Sequence, residues 1–131
     1  MNSEMKWGAQ MEKQAIERYK EFIDDLVELR PSVYPRWIME NGWPVKVENE
    51  RINRVLSGLT TEQKEVIAMI AQSARDGGIH DVLVYLTDQI NLEGLEMVKN
   101  GVKLATEPFD SGMHYDWVCR REGDSWPDQN S

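Results

Sequence analysis

Cysteine and histidine are scarce in this chain: one of the first and two of the second in 131 residues. Cys119 has no partner for an internal disulfide, and a lone thiol fits a reducing compartment, so cytoplasmic residence is expected. The histidines, His80 and His114, stand far apart in sequence, and a zinc site would need at least one ligand beyond them. Long apolar runs are missing too. None approaches the ~20 residues that cross a bilayer. The opening stretch MNSEMKWGAQMEKQAIERYK has no basic region followed by an apolar block, so neither a membrane span nor a secretory signal is expected. No GxSxG, HExxH or CxxC and no phosphate-cradling loop ending in GK[ST] occurs, which removes the short signatures of several hydrolase, protease, redox and nucleotide-binding classes. Positive charge is short as well, with 15 Lys and Arg against 23 Asp and Glu and a net charge of −8. Such a surface repels phosphate backbones, and no basic stripe is interleaved with aromatics, so a nucleic-acid or membrane partner is not expected. No cofactor is expected either.

What is present is an ordinary globular composition, 40% hydrophobic and 29% charged. The length suits one domain over residues 1–131, able to bury roughly two-thirds of the surface its unfolded form exposes. Helical periodicity runs over 9–92. Residues 9–29 set Ala15, Ile16, Tyr19, Phe22, Ile23, Leu26 and Val27 at three- and four-residue spacing, and Arg30-Pro31 ends that helix. Asp24 and Asp25 read as part of its solvated face. SVYPRWIMENG reads as a short helix capped by Ser32 and stopped at Asn41-Gly42. A third helix points Ile52, Val55, Leu56 and Leu59 inward and closes at Ser57-Gly58. Thr60 and Gln63 form the spacing of a capping box at the start of a fourth, ended by Gly77-Gly78. A fifth carries Ile79, Val82, Leu83, Leu86 and Ile90.

Residues 95–122 read as β-rich. Asn100-Gly101 is the strongest short signal for a two-residue hairpin, because both turn positions need positive φ. Pairing Lys99 with Val102 puts Leu95, Met97, Val102 and Leu104 on one face. HYDWVCRR alternates too and supplies a candidate third strand. The expected architecture is therefore α+β, mostly helical with about five helices, and a C-terminal antiparallel β-hairpin or three-stranded sheet. Its alternative, all-α with an irregular C-terminal cap, conflicts with Asn100-Gly101.

The stretch MHYDWVCRREGDSWP, residues 113–127, concentrates polar and aromatic groups. On a strand, Tyr115, Trp117 and Cys119 share one face and His114, Asp116, Val118 and Arg120 the other. His114 and Asp116 are then the candidate catalytic pair, and His80, His114 and Asp116 the candidate metal ligands. Cys119 falls on the opposite face from His114 and reads as a small core residue. Within RREGDSWP, Arg120 or Arg121 can brace a turn at Gly123 through Glu122 or Asp124, with Trp126-Pro127 folded back as an aromatic plug. Arg120 and Trp126 are equally candidate binding residues. So are Trp37 and Trp43 beside Arg36, a composition typical of binding hot spots.

The tail HYDWVCRREGDSWP after an Asn-Gly hairpin resembles the ending of a group of small uncharacterised bacterial proteins with no assigned activity. The likeness covers mainly residues 95–127 and implies a recurrent C-terminal module. Taken together, these features point to a small acidic interaction module without catalytic activity, which binds a protein partner or itself. The alternative is a small-molecule hydrolase or metal-binding enzyme using His114 and Asp116 with His80 and Asp81.

Overall fold

The computed structural model, which describes residues 3–127, with side chains from residue 6 onward, has five α-helices, four of them over the stretch where the sequence has helical periods. In chain order these are α1 (Ser3–Glu28), α2 (Tyr34–Met39), a 3₁₀ turn (Val47–Asn49), α3 (Glu50–Ser57) and α4 (Thr61–Glu93). The hairpin strands β1 (Val98–Lys99) and β2 (Val102–Lys103) follow, and α5 (Met113–Arg121) comes last. The chain divides into two compact units, Met1–Glu28 with His80–Ser131 and Leu29–Ile79. Among the described residues, no helix is long and apolar enough to cross a membrane.

In the first unit, α1 packs on α5 and against β2. Tyr19 and Ile23 from α1, Leu83 from α4, Leu104 beyond β2, and Met113 and Trp117 from α5 are its buried apolar residues. Full burial of a side chain as large as Trp117 contributes about 2–3 kcal/mol. The hairpin has the register its turn demands. Lys99 pairs with Val102 and Val98 with Lys103, and Asn100 and Gly101 hold φ of 52° and 76°. Beyond the ladder, the Leu104 N–H donates to the Met97 carbonyl (2.9 Å) and the Ala105 N–H to that of Ala15 in α1 (3.1 Å). These bonds carry the hairpin's apolar face onto the helix.

The second unit is smaller. Ile38, Leu56 and Ala68 are buried, with Trp43, Leu59 and Ala71 packed against them. The capping box forms reciprocally: the Gln63 N–H donates to the Thr60 hydroxyl (3.1 Å) and the Thr60 N–H to the Gln63 side chain (2.9 Å). Two of the otherwise unpaired amides at the start of α4 are satisfied in this way. The expected Ser32 cap is corrected: Val33 is the N-cap of α2, with no side-chain cap bond, and Ser32 one residue earlier accepts from the Tyr34 N–H at 3.3 Å. Arg30 grips Asp76 through two nitrogens at 2.6 and 2.9 Å, and Gln72 accepts from the Ser32 N–H. Together they fasten the turn after α1 to α4.

Two further expectations are corrected. Gly77-Gly78 does not stop a helix, so the expected fourth and fifth helices are one element of 33 residues. A glycine stop needs the left-handed conformation just past the last helical residue. Here both glycines stay helical and the inward positions continue through them, from Ala68 to Leu83 and Thr87. The period outweighs a propensity cost of about 1 kcal/mol per glycine. The second correction concerns residues 113–120, which form α5 instead of a third strand. Met113, Asp116 and Trp117, at i, i+3 and i+4, are its buried positions. Asp116 in the first turn and Arg120 and Arg121 in the last suit the helix dipole. The period-two alternation is real in the sequence, but a 3.6 period fits the same residues and turns Met113, Asp116 and Trp117 toward the core. The β-rich stretch expected over 95–122 thereby narrows to the two short strands of the hairpin.

Candidate functional site

The helical state of α5 dissolves the polar row that a strand would have made. Side chains two apart on a helix point roughly 200° from each other, so His114 and Asp116 face different neighbours. Asp116 is 5% exposed and turns toward α1. It accepts hydrogen bonds from the Tyr19 hydroxyl and, at 2.6 Å, from the Ser111 hydroxyl. The Tyr19 pKa is pushed far upward, first by burial, then by donation to the Asp116 carboxylate, and then by the charges of Asp116 and Glu107. Tyr19 is therefore a neutral donor, and together with Ser111 it locks α5 to α1.

His114 meets His80 instead, the rings 5.2 Å apart between centroids and inclined at 78°. A Cβ at Gly112 would lie 2.7 Å from Cε1 and 2.9 Å from Nδ1 of His114, so the glycine makes room for the ring. Nδ1 of His114 is buried with no hydrogen-bond partner among the described residues. Asp81, whose carboxylate is 3.9 Å from Nδ1 of His80, is largely solvated. The structure thus brings His80 and His114 together and sends Asp116 elsewhere. Among the described residues, no three His, Cys, Asp or Glu side chains gather as metal ligands.

Arg120 and Trp126 converge on α1. Arg120 donates to both oxygens of Asp24 (2.7 and 3.2 Å) and to the Asp124 carbonyl (2.8 Å), and the Trp126 indole N–H donates to Asp24 (3.0 Å). Trp126 stacks on Phe109 at 5.2 Å and lies edge-on to Tyr19 at 6.1 Å, with the Arg120 guanidinium 5.0 Å from its ring centre. The expected plug is present. Its anchor is Asp24, which the sequence placed on the solvated face, and not the side chain of Glu122 or Asp124. Cys119 is half-buried, and its contact with the exposed Tyr115 raises that phenol's pKa.

In the second unit, Tyr34, Trp37 and Trp43 form a mutual cluster with ring centroids 5.1 to 5.6 Å apart. Trp43 also packs on the Ile38–Leu56–Ala68 core. Its backbone is bracketed by Asn53, which accepts from the Trp43 N–H (2.8 Å) and donates to its carbonyl (3.0 Å). Both tryptophans are half-buried and Arg36 is exposed beside them.

A cleft of about 120 Å³ opens within the first unit. Ile90 from α4, Leu95, Met97 and Leu104 from the hairpin region, and Met113 from α5 give it apolar walls. Tyr19 and Thr87 line its floor, with Glu96, Lys103, Thr106 and Glu107 among its polar residues. Thr87 is satisfied internally, donating to the Leu83 carbonyl (2.8 Å) and accepting from the Met113 N–H (3.4 Å). Lys103 pairs with Glu96 at 3.1 Å. Glu107 takes one hydrogen bond, from the Asn91 amide at 3.0 Å. It sits at φ 44°, left-handed backbone that a side-chain-bearing residue rarely adopts. Sequence reasoning missed Glu107, Asn91 and Thr87 because no motif connects them. Tyr19 was visible only as a core position.

The chain belongs to a family of unknown function, DUF6547, whose model matches residues 12–128. The match takes in most of the chain and not only the tail over 95–127. No curated protein matches it, and no solved structure does.

Proposed function

We propose that this member of a family without an assigned activity is a non-catalytic binding protein that holds a small molecule in the cleft lined by α1, α4, the hairpin and α5. The observation that carries the reading is the cleft itself: apolar walls from separate elements, with a few polar groups, behind which Tyr19, Ser111 and Asp116 form a buried brace. Preformed apolar concavities with a few fixed polar groups are the ordinary form of such sites. Tyr19 contributes a wall and no base, because its proton is held by Asp116.

The test is a titration with 1-octanol followed by methyl NMR. Shifts are expected at Ile90, Leu95, Met97, Leu104 and Met113, and their loss is expected in Thr106→Trp, which fills the cleft from an exposed lining position. Shifts scattered over the surface, or unchanged in the variant, would overturn the reading. A second reading, association with a protein partner or with itself, draws on a different observation. Val66, Met69 and Ile70 of α4 are 50%, 72% and 61% exposed, an apolar surface larger than scattered single residues make. Native mass spectrometry of the same samples addresses it: a dimer growing with concentration supports self-association, and a constant monomer removes it.

A further inference from the structure

Resting on the cleft reading, we infer that the ligand is an amphipathic cation, an alkylammonium-like molecule whose charged nitrogen is held by Glu107 and whose apolar body lies among Leu95, Met97, Leu104 and Met113. Of the cleft's hydroxyl donors, Tyr19 is used on Asp116 and Thr87 on the Leu83 carbonyl, and Thr106 stands exposed at the edge. Its one ammonium, on Lys103, is paired with Glu96. Glu107 differs. It is half-buried, lines the cleft, and has only the neutral Asn91 amide as a hydrogen-bond donor. Among the described residues, no Lys, Arg or His reaches it within ion-pair distance.

A partly desolvated carboxylate without a cation is costly, and a cationic donor relieves that cost. Asp116 adds to the negative field, since it and Glu107 both bear on the Tyr19 hydroxyl. An anionic ligand would meet Glu107 and Glu96 in the lining, with the one lining ammonium, Lys103, already paired. A neutral alcohol of the same length would fill the apolar walls and offer Glu107 one hydrogen bond but no charge. Both the sign of the charge and the presence of hydrogen-bond donors on the ligand follow from that inventory.

Calorimetric titration at pH 7 with octylammonium chloride, 1-octanol and sodium octanoate tests this, using the full chain, Glu107→Gln and Thr106→Trp. The unmodified protein is expected to bind octylammonium about tenfold more tightly than octanol, the scale of one charge-assisted hydrogen bond, with octanoate weakest. Glu107→Gln keeps the acceptor for Asn91 and is expected to bind octylammonium and octanol alike. Octanol binding equal to octylammonium, or an octylammonium preference that survives in Glu107→Gln, overturns the charge assignment while leaving the cleft reading intact. Preference for octanoate overturns its sign. Undiminished binding of all probes by Thr106→Trp removes the cleft reading itself. Absence of octylammonium binding overturns the inference, and the octanol titration then decides the cleft separately. The comparison of three probes on the unmodified protein needs no variant to fold.

Discussion

Tyr19→Phe removes one oxygen from the centre of the first unit, and its consequence can be worked at two pH values. The hydroxyl donates to Asp116, which is 5% exposed and keeps only Ser111 as a second side-chain donor. A hydrogen bond to a charged acceptor contributes about 1.5–3 kcal/mol, so the variant is expected to lose about 2 kcal/mol at pH 7. The phenol's pKa is raised in the folded protein, whereas in the unfolded chain it lies near 10. Above pH 10 the unfolded chain releases a proton that the folded protein keeps. The contribution of Tyr19 is thus fully present below pH 10 and declines above it, by about 1.4 kcal/mol per pH unit. The Phe variant has no such group. Urea unfolding of both proteins between pH 7 and 11.5 is therefore expected to show a gap of about 2 kcal/mol that closes as pH rises, approaching zero near the upper end. Other titrating groups cancel in the difference. A gap under about 0.5 kcal/mol at pH 7, or a gap that stays constant to pH 11.5, would refute the reasoning from Tyr19 and Asp116.

Gly112→Ala places a methyl 2.7 Å from Cε1 of His114, so the ring must move off His80. A loss of about 1–3 kcal/mol is expected, with changed imidazole shifts for both histidines in NMR spectra. Asp24→Asn weakens the clamp on Arg120 and Trp126. Because the two charged side chains are 26% and 37% exposed, solvent screening limits the loss to about 1 kcal/mol, and it should be accompanied by a change in tryptophan emission as Arg120 and Trp126 are left with one acceptor oxygen between them.

Local signals were legible where the chain needs only its neighbours. Thr60 and Gln63 form their capping box, and Asn100-Gly101 gives a hairpin with Lys99 opposite Val102. The mostly helical α+β class followed from such signals. They misled where two periods fit the same residues. In HYDWVCRR the alternation that suggests a strand coexists with a Met113–Asp116–Trp117 helical stripe, and only the presence of α1 to receive that stripe decides between them. Gly77-Gly78 failed as a stop for a related reason, since burial on both sides of the pair carries the helix through. Long-range partners were not legible at all. Asp24 and Asp25 are adjacent acidic residues of one helix, yet Arg120 selects Asp24, a choice set by how α5 lies on α1. The cleft was illegible for the same cause: Thr87, Glu107 and Met113 belong to separate segments, and nothing in their spacing announces that they line one space.

The Tyr19–Asp116 hydrogen bond closes a loop of 97 residues, and that span governs how the first unit assembles. The entropic cost of bringing the ends of such a loop together is about 4 kcal/mol, incurred before any contact between α1 and α5 offsets it. The Leu29–Ile79 unit lies wholly inside that loop and is built from contiguous chain. Contacts of low sequence separation, such as those within that unit, are therefore expected to form before the Tyr19–Asp116 closure. During synthesis the buried face of α1 is therefore made before α5, the helix that covers it.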